Sequence, residues 1–199
     1  SGMNDKATDK GKGAVKGTLA ENVTSVAWKY DCNEFYYTQS APTEESYMNY
    51  NNLCASTLAG ETRTIATKNT YTENVTGDPL NVFKFSLVTM FVENDGSATL
   101  YYTKAHTLNG TSTTDGLFMA KASDVKGSEK LLNIGAKTTV FPLGFEEGAL
   151  AYNNESVYCW YNGTSEPVQV TTTSQTVWYV KDGLVYFTDS SSAKALYAI

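Results

Sequence analysis

The residues able to do chemistry are few, and their spacing is poor for it. The one histidine, His106, falls in a polar stretch spanning residues 104–115. One imidazole cannot build a histidine metal cluster, and the Gly-x-Ser-x-Gly turn that exposes a hydrolase serine is absent. His106 is therefore expected to be a solvated loop residue. Gly11-Lys12-Gly13 lacks both the spacing and the following Ser or Thr of a phosphate-binding loop. Glycoside hydrolysis needs two carboxylates on opposite sides of a bond, and Glu146-Glu147 is the tightest acidic pair. Within Phe145-Glu146-Glu147-Gly148, however, the pair reads as a hairpin tip pointing into water. Glu93-Asn94-Asp95-Gly96 has consecutive rather than alternating oxygen donors, which does not make a calcium loop. The three cysteines, Cys32, Cys54 and Cys159, form no Cys-x-x-Cys pair. Only Cys32 and Cys54 are candidates for a bridge, and buried free thiols are the expected state. No catalytic, cofactor-binding or metal-ligating residue is expected. The candidate ligand contacts are Trp160 and Tyr161, beside the Asn162-Gly163 turn, together with Glu146 and Glu147.

The elements that would position these residues are strands. Of 199 residues, 27 are Thr, 16 Ser and 15 Asn, short polar side chains that suit strands and turns better than helix interiors. A hydrophobic content of 41%, with 13% aromatic, is enough for a folded core. The 15 Lys and Arg against 21 Asp and Glu leave a net charge of -6, the wrong sign for a phosphate backbone, so nucleic acid is not an expected partner. No run reaches the roughly 18 apolar residues of a membrane helix, so no membrane insertion is expected. Ser1-Gly2-Met3 has the look of a cleavage scar, and residues 4–13 read as a flexible lead-in to one domain over residues 14–199. Five Asn-x-Ser/Thr triplets, at Asn22, Asn74, Asn109, Asn154 and Asn162, are what chance produces in so Thr- and Asn-rich a chain.

From Val15 onward short alternating runs are broken by Gly, Asn and Asp, and no helical period is sustained, so helix should be almost absent. Asn94-Asp95-Gly96, Asn109-Gly110, Asn162-Gly163 and Lys181-Asp182-Gly183 are hairpin signals. An internal repeat emerges when the runs are aligned. Each unit opens on an aromatic-rich strand (residues 34–38, 99–103, 149–153 and 184–188), followed by a second strand (52–56, 117–120, 157–160 and 195–198). In the first three units a third strand (62–67, 130–134, 167–171) and a fourth (82–92, 139–143, 176–180) follow. Adjacent aromatics such as Tyr36 and Tyr37, or Tyr101 and Tyr102, must put one ring on each face of their sheet. The fourth unit stops after two strands, whereas residues 14–19 and 23–29 read as a third and fourth strand without a first and second. The leading expectation is an all-β, four-bladed propeller of four-stranded blades, with one blade closed by strands from both termini so that no edge stays open, and a partial propeller or a two-sheet sandwich are the alternatives.

The repeat, with its Gly turn, aromatic strand, apolar strand and a strand such as Lys130-Leu131-Leu132-Asn133-Ile134-Gly135, resembles the propeller repeats of TolB-like bacterial proteins. It also resembles those of membrane-anchored extracytoplasmic propellers of Gram-positive gut bacteria. The likeness spans residues 23–199. Asp95-Gly96 and Asp182-Gly183 keep the Asp-Gly that precedes the aromatic strand, whereas Cys32-Asn33 and Glu147-Gly148 depart from it. It implies an extracytoplasmic or cell-surface location, with lysines 6, 10, 12 and 16 suiting either a tether or a solvated tail. The function expected is a non-enzymatic module binding a protein or glycan partner through rim loops or one face. A polysaccharide-acting hydrolase or lyase, or a structural segment of a larger surface protein, are the competing readings.

Overall fold

The computed structural model describes residues 19–40, 51–67, 83–108, 111–132, 139–152, 158–161, 168–171, 175–181, 184–189 and 196–198. They form antiparallel sheets in which consecutive strands pair. The first sheet holds β1 (Val23–Ala27), β2 (Glu34–Ser40), β3 (Asn51–Thr57) and β4 (Thr62–Ala66). The second holds β5 (Phe83–Val92), β6 (Ala98–Leu108), β7 (Thr111–Lys121) and β8 (Lys130–Leu132). The third holds β9 (Thr139–Gly144), β10 (Gly148–Tyr152), β11 (Tyr158–Tyr161) and β12 (Val168–Thr171). The fourth has three described strands, β13 (Gln175–Lys181), β14 (Leu184–Asp189) and β15 (Leu196–Ala198). The single described helix, α1 (Val125–Ser128), is one turn, started by an Asp124 side chain that accepts from the Gly127 amide at 3.0 Å.

The all-β expectation and the four strand groups are present, but the sheets begin one strand earlier than the repeat suggests. The strand expected to end each unit pairs with the next aromatic strand: β1 with β2, β5 with β6, β9 with β10 and β13 with β14. Short connections explain this, since closing a short loop costs little entropy and leaves its two flanking strands side by side. At the β5–β6 turn Gly96 adopts φ +80° and donates to the Glu93 carbonyl at 2.9 Å. The turn expected at Asn109 and Gly110 lies outside the described residues, between the paired Leu108 and Thr111. So do Asn162-Gly163 and Asp182-Gly183. The same shift corrects the expected closing blade. Val23–Ala27 is the outer strand of the first sheet, paired with β2, and does not join the C-terminal strands. Residues 14–18 lie outside the description.

The second sheet is buried on both faces. Tyr101 and Tyr102, adjacent on β6, are each fully buried, on opposite sides. Tyr102 packs with Phe85, Leu87 and Leu100 against Tyr36, Leu53 and Ala55 of the first sheet. Its ring stacks on Phe118 at 6.1 Å between centroids, an offset aromatic pair. Tyr101 turns the other way, joining Leu117, Met119 and Leu132 against Val140, Phe145 and Ala149 of the third sheet. The period-2 alternation of a strand thus converts an aromatic dipeptide into adhesive for two neighbouring sheets.

The first strands of successive sheets lie against one another, β1 against β5 and β5 against β9. β5 is an edge strand, and side chains from the first sheet occupy its outer backbone groups. The Leu87 amide donates to Ser25 Oγ at 3.0 Å, and the Phe85 amide donates to Asn51 Oδ1 at 2.7 Å. A row of edge donors that would otherwise invite another chain is therefore taken up internally. Behind it, the buried Thr38 hydroxyl bonds Thr24 Oγ1 at 2.7 Å and Ser25 Oγ at 2.5 Å.

Candidate functional site

Because the first three sheets run the same way, five described connections emerge at one end of the molecule. They are residues 28–33, 58–61, 93–97, 122–129 and 145–147. Glu146 and Glu147 occupy the last, both exposed on the turn between β9 and β10. Trp160 and Tyr161 close β11, opposite Leu150 and Ala149 of β10. The register therefore brings all four candidate residues to the same end of the third sheet. The side chains of Trp160 and Tyr161 lie outside the described residues. Two adjacent carboxylates on one exposed turn do not face each other across a cleft, the arrangement that glycosidic chemistry uses.

The base of this turn is tied to the second sheet. The buried Phe145 ring lies beneath the Lys130 and Lys121 ammonium groups, 4.4 and 5.0 Å from its centroid. Glu93 Oε1 accepts from the Phe145 amide at 2.8 Å and from the Thr99 hydroxyl at 2.5 Å. The Tyr101 hydroxyl donates to the Gly148 carbonyl at 2.8 Å and lies 3.2 Å from that of Gly144. Burial, reinforced by the nearby Glu93 charge, pushes the Tyr101 hydroxyl well above the ordinary tyrosine range. These bonds hold the turn as a fixed platform rather than a loose tip.

A second polar cluster lies at the other side of the second sheet. Lys104, 7% exposed, pairs with Glu129, which also accepts from the Tyr102 hydroxyl. The Lys104 ammonium stands 4.0 Å from the Phe118 ring centroid. This set fastens the segment after α1 to β6 and β7, where a buried cation needs both carboxylate and ring. Among the described residues, no group of three His, Cys, Asp or Glu is placed to hold a metal ion. Cys32 and Cys54 are both buried free thiols, and burial pushes the Cys54 thiol upward. The backbone of His106 is in β6, opposite Phe83 and Thr113, rather than in a loop. Strand pairing through Leu108 extends this hairpin further than its polar composition suggests.

Sequence reasoning missed the loop from Trp28 to Asn33. Residues 23–29 read as a single strand, yet β1 ends at Ala27 and Trp28 turns onto Phe35, ring centroids 5.5 Å apart at 26°. Trp28 Nε1 donates to the Cys32 carbonyl at 3.1 Å, and the Cys32 amide donates to the Lys29 carbonyl at 3.0 Å. Trp28 remains 42% exposed and Tyr30 93%. The available signal was the pattern Trp-Lys-Tyr-Asp-Cys-Asn, in which aromatic and polar residues alternate into a turn. Nearby, Glu34 receives Arg63 through Nη2 at 2.9 Å and Nε at 3.3 Å, and its carboxyl is held below the usual range chiefly by those bonds. No protein-family model, curated protein or solved structure matches the chain.

Proposed function

We propose that this chain is a non-enzymatic, extracytoplasmic binding module of β-propeller type that engages a protein or glycan partner through the loops at one end. The observation that carries the reading is the joining of connections from three sheets at that end, on a frame whose neighbouring sheets are locked by buried tyrosines and by hydrogen bonds across them. Rigid sheets presenting varied loops in one plane suit recognition. The sequence adds that its lone histidine, its adjacent glutamates and its scattered cysteines do not compose a reactive set.

The propeller reading draws on the succession of β1, β5 and β9 and on the repeating four-strand meander. On that reading the fourth sheet packs against the outer face of the first sheet, and closure depends on the N-terminal residues that precede β1. The repeat's resemblance to TolB-like and surface-tethered bacterial propellers supports an extracytoplasmic setting.

Binding is tested by screening the purified chain against immobilised glycans and purified extracellular proteins, with Glu146→Gln and Glu147→Gln variants alongside. Saturable binding without chemical change to the ligand is the expected result. Cleavage of a polysaccharide, abolished by either substitution, would overturn it in favour of a hydrolase or lyase. Ring closure is tested separately by removing residues 1–18. Aggregation is expected, whereas a stable monomer with unchanged amide protection at β15 would refute closure.

A further inference from the structure

We infer that the loop from Trp28 to Asn33 is a carbohydrate-binding platform on which the rings of Trp28 and Tyr30 stack against the C–H face of a sugar. The inference deepens the binding-module reading and rests on it, naming the ligand class and the residues.

Its first support is the cost of exposure. A tyrosine left 93% exposed and a tryptophan left 42% exposed, two positions apart, keep a large apolar surface in water at a loop that could have been polar. The second support is rigidity. Phe35 packs against one face of the indole, and the Trp28 Nε1 bond to the Cys32 carbonyl fixes the ring about its own axis. The Cys32 amide bond to Lys29 closes the turn beneath it. The indole thus offers one open face in a set orientation, and little conformational entropy is lost when a ligand covers it.

The third support, which selects sugar over a protein surface, is the company the rings keep. Lys29, Asp31 and Asn33 are all exposed within the same six residues. They bring a carboxylate, an amide and an ammonium to the same loop as the aromatic pair. A sugar presents an apolar C–H face bordered by hydroxyls that both donate and accept, and this set answers both parts. A protein hot spot instead sits in a well-packed, desolvated pocket, and a loop whose tyrosine is 93% exposed does not provide one. The rings belong to the first sheet and the Glu146 turn to the third, so the two can be mutated separately.

The test uses the full chain with neutral hexasaccharides of β-1,4-glucose, β-1,4-xylose, β-1,4-mannose and α-1,4-glucose, read by calorimetry and by tryptophan fluorescence. At least one should bind and shift the emission. Tyr30→Ala, at a site with almost no packing to disturb, should weaken that binding about tenfold, and Trp28→Ala by more, with circular dichroism confirming the fold. Asp31→Asn should weaken it less than either. Sugar binding equal in wild type, Tyr30→Ala and Trp28→Ala would overturn the site while leaving the binding module intact. Failure of every hexasaccharide, together with saturable binding to an extracellular protein in the screen above, would overturn the ligand class alone. Failure of both screens would overturn the binding reading and this inference with it.

Discussion

Asn51, on the third strand of the first sheet, treats the backbone of Phe85 as a β-strand would. Its Nδ2 donates to the Phe85 carbonyl and its Oδ1 accepts from the Phe85 amide, both at 2.7 Å. One side chain therefore stands in for a missing neighbouring strand at the β5 edge, where the first two sheets meet. Asn51→Ala removes both bonds from a buried site and is expected to cost about 2–3 kcal/mol. Chemical denaturation measures the loss, and faster amide exchange at Phe85 would localise it. Asn51→Asp keeps the acceptor but sets a carboxylate against the Phe85 carbonyl, so its destabilisation should ease as the pH falls.

Gly144 lies at the end of β9 with φ +112°, and a Cβ there would stand 3.1 Å from Glu93 Oε2 and 3.4 Å from the Phe91 ring. Gly144→Ala should destabilise by about 2–3 kcal/mol through backbone strain and crowding together. Glu93→Ala loses the bonds from Thr99 and the Phe145 amide, about 2 kcal/mol. It also vacates the space a new methyl needs. The double variant should then fall short of the sum of the two single losses, which a double-mutant cycle by thermal or urea unfolding would read. Full additivity would mean that strain alone penalises the alanine.

Tyr36 and Tyr101 both hold their protons more tightly than free tyrosine, chiefly because burial disfavours the phenolate. The Tyr36 hydroxyl also donates to Glu34 at 2.7 Å. Each folded value lies above the unfolded one, so their contribution is complete below about pH 10 and declines as the pH rises further. Above about pH 10 each should remove about 1.4 kcal/mol of stability per pH unit, because only the unfolded chain ionises there. Urea unfolding between about pH 9 and pH 11 should show this slope, and Tyr101→Phe should flatten it. The same substitution should cost about 1 kcal/mol at neutral pH by removing the hydrogen bond to Gly148.

On the acid side the Glu34–Arg63 pair gives the opposite sign. The Glu34 carboxyl is held below its usual range, so its contribution is present above about pH 4.3 and fades as the pH drops. Because the Arg63 side chain is 46% exposed, solvent screening keeps the contribution under about 1 kcal/mol. Arg63→Gln should leave the melting midpoint almost unchanged while raising the Glu34 titration midpoint measured by NMR. A large stability loss would show that Arg63 acts by packing instead.

The amino-acid sequence by itself determined the all-β character, the turn at Asn94-Asp95-Gly96 and the placing of Tyr101 and Tyr102 on opposite faces. All three follow from local rules: short polar and β-branched residues favour strands, glycine permits the turn, and side chains alternate along a strand. Glu146 and Glu147 read as a solvated hairpin tip on the same grounds, and they occupy one. Which strands share a sheet was beyond such rules. Residues 23–27 carry the same alternation whether they pair with β2 or with a C-terminal strand, and only the short path to Glu34 and the fit against β5 select β2. The Asn51 clamp on Phe85, 34 residues away, and the Glu93 bond to Phe145, 52 residues away, leave no periodic trace. The exposure of Trp28 and Tyr30 was equally hidden, because a tryptophan following a strand is compatible with either core or surface until the neighbouring chain is in place. Local spacing set each strand's two faces, and tertiary packing decided what each face meets, since burial depends on segments brought together from far along the chain.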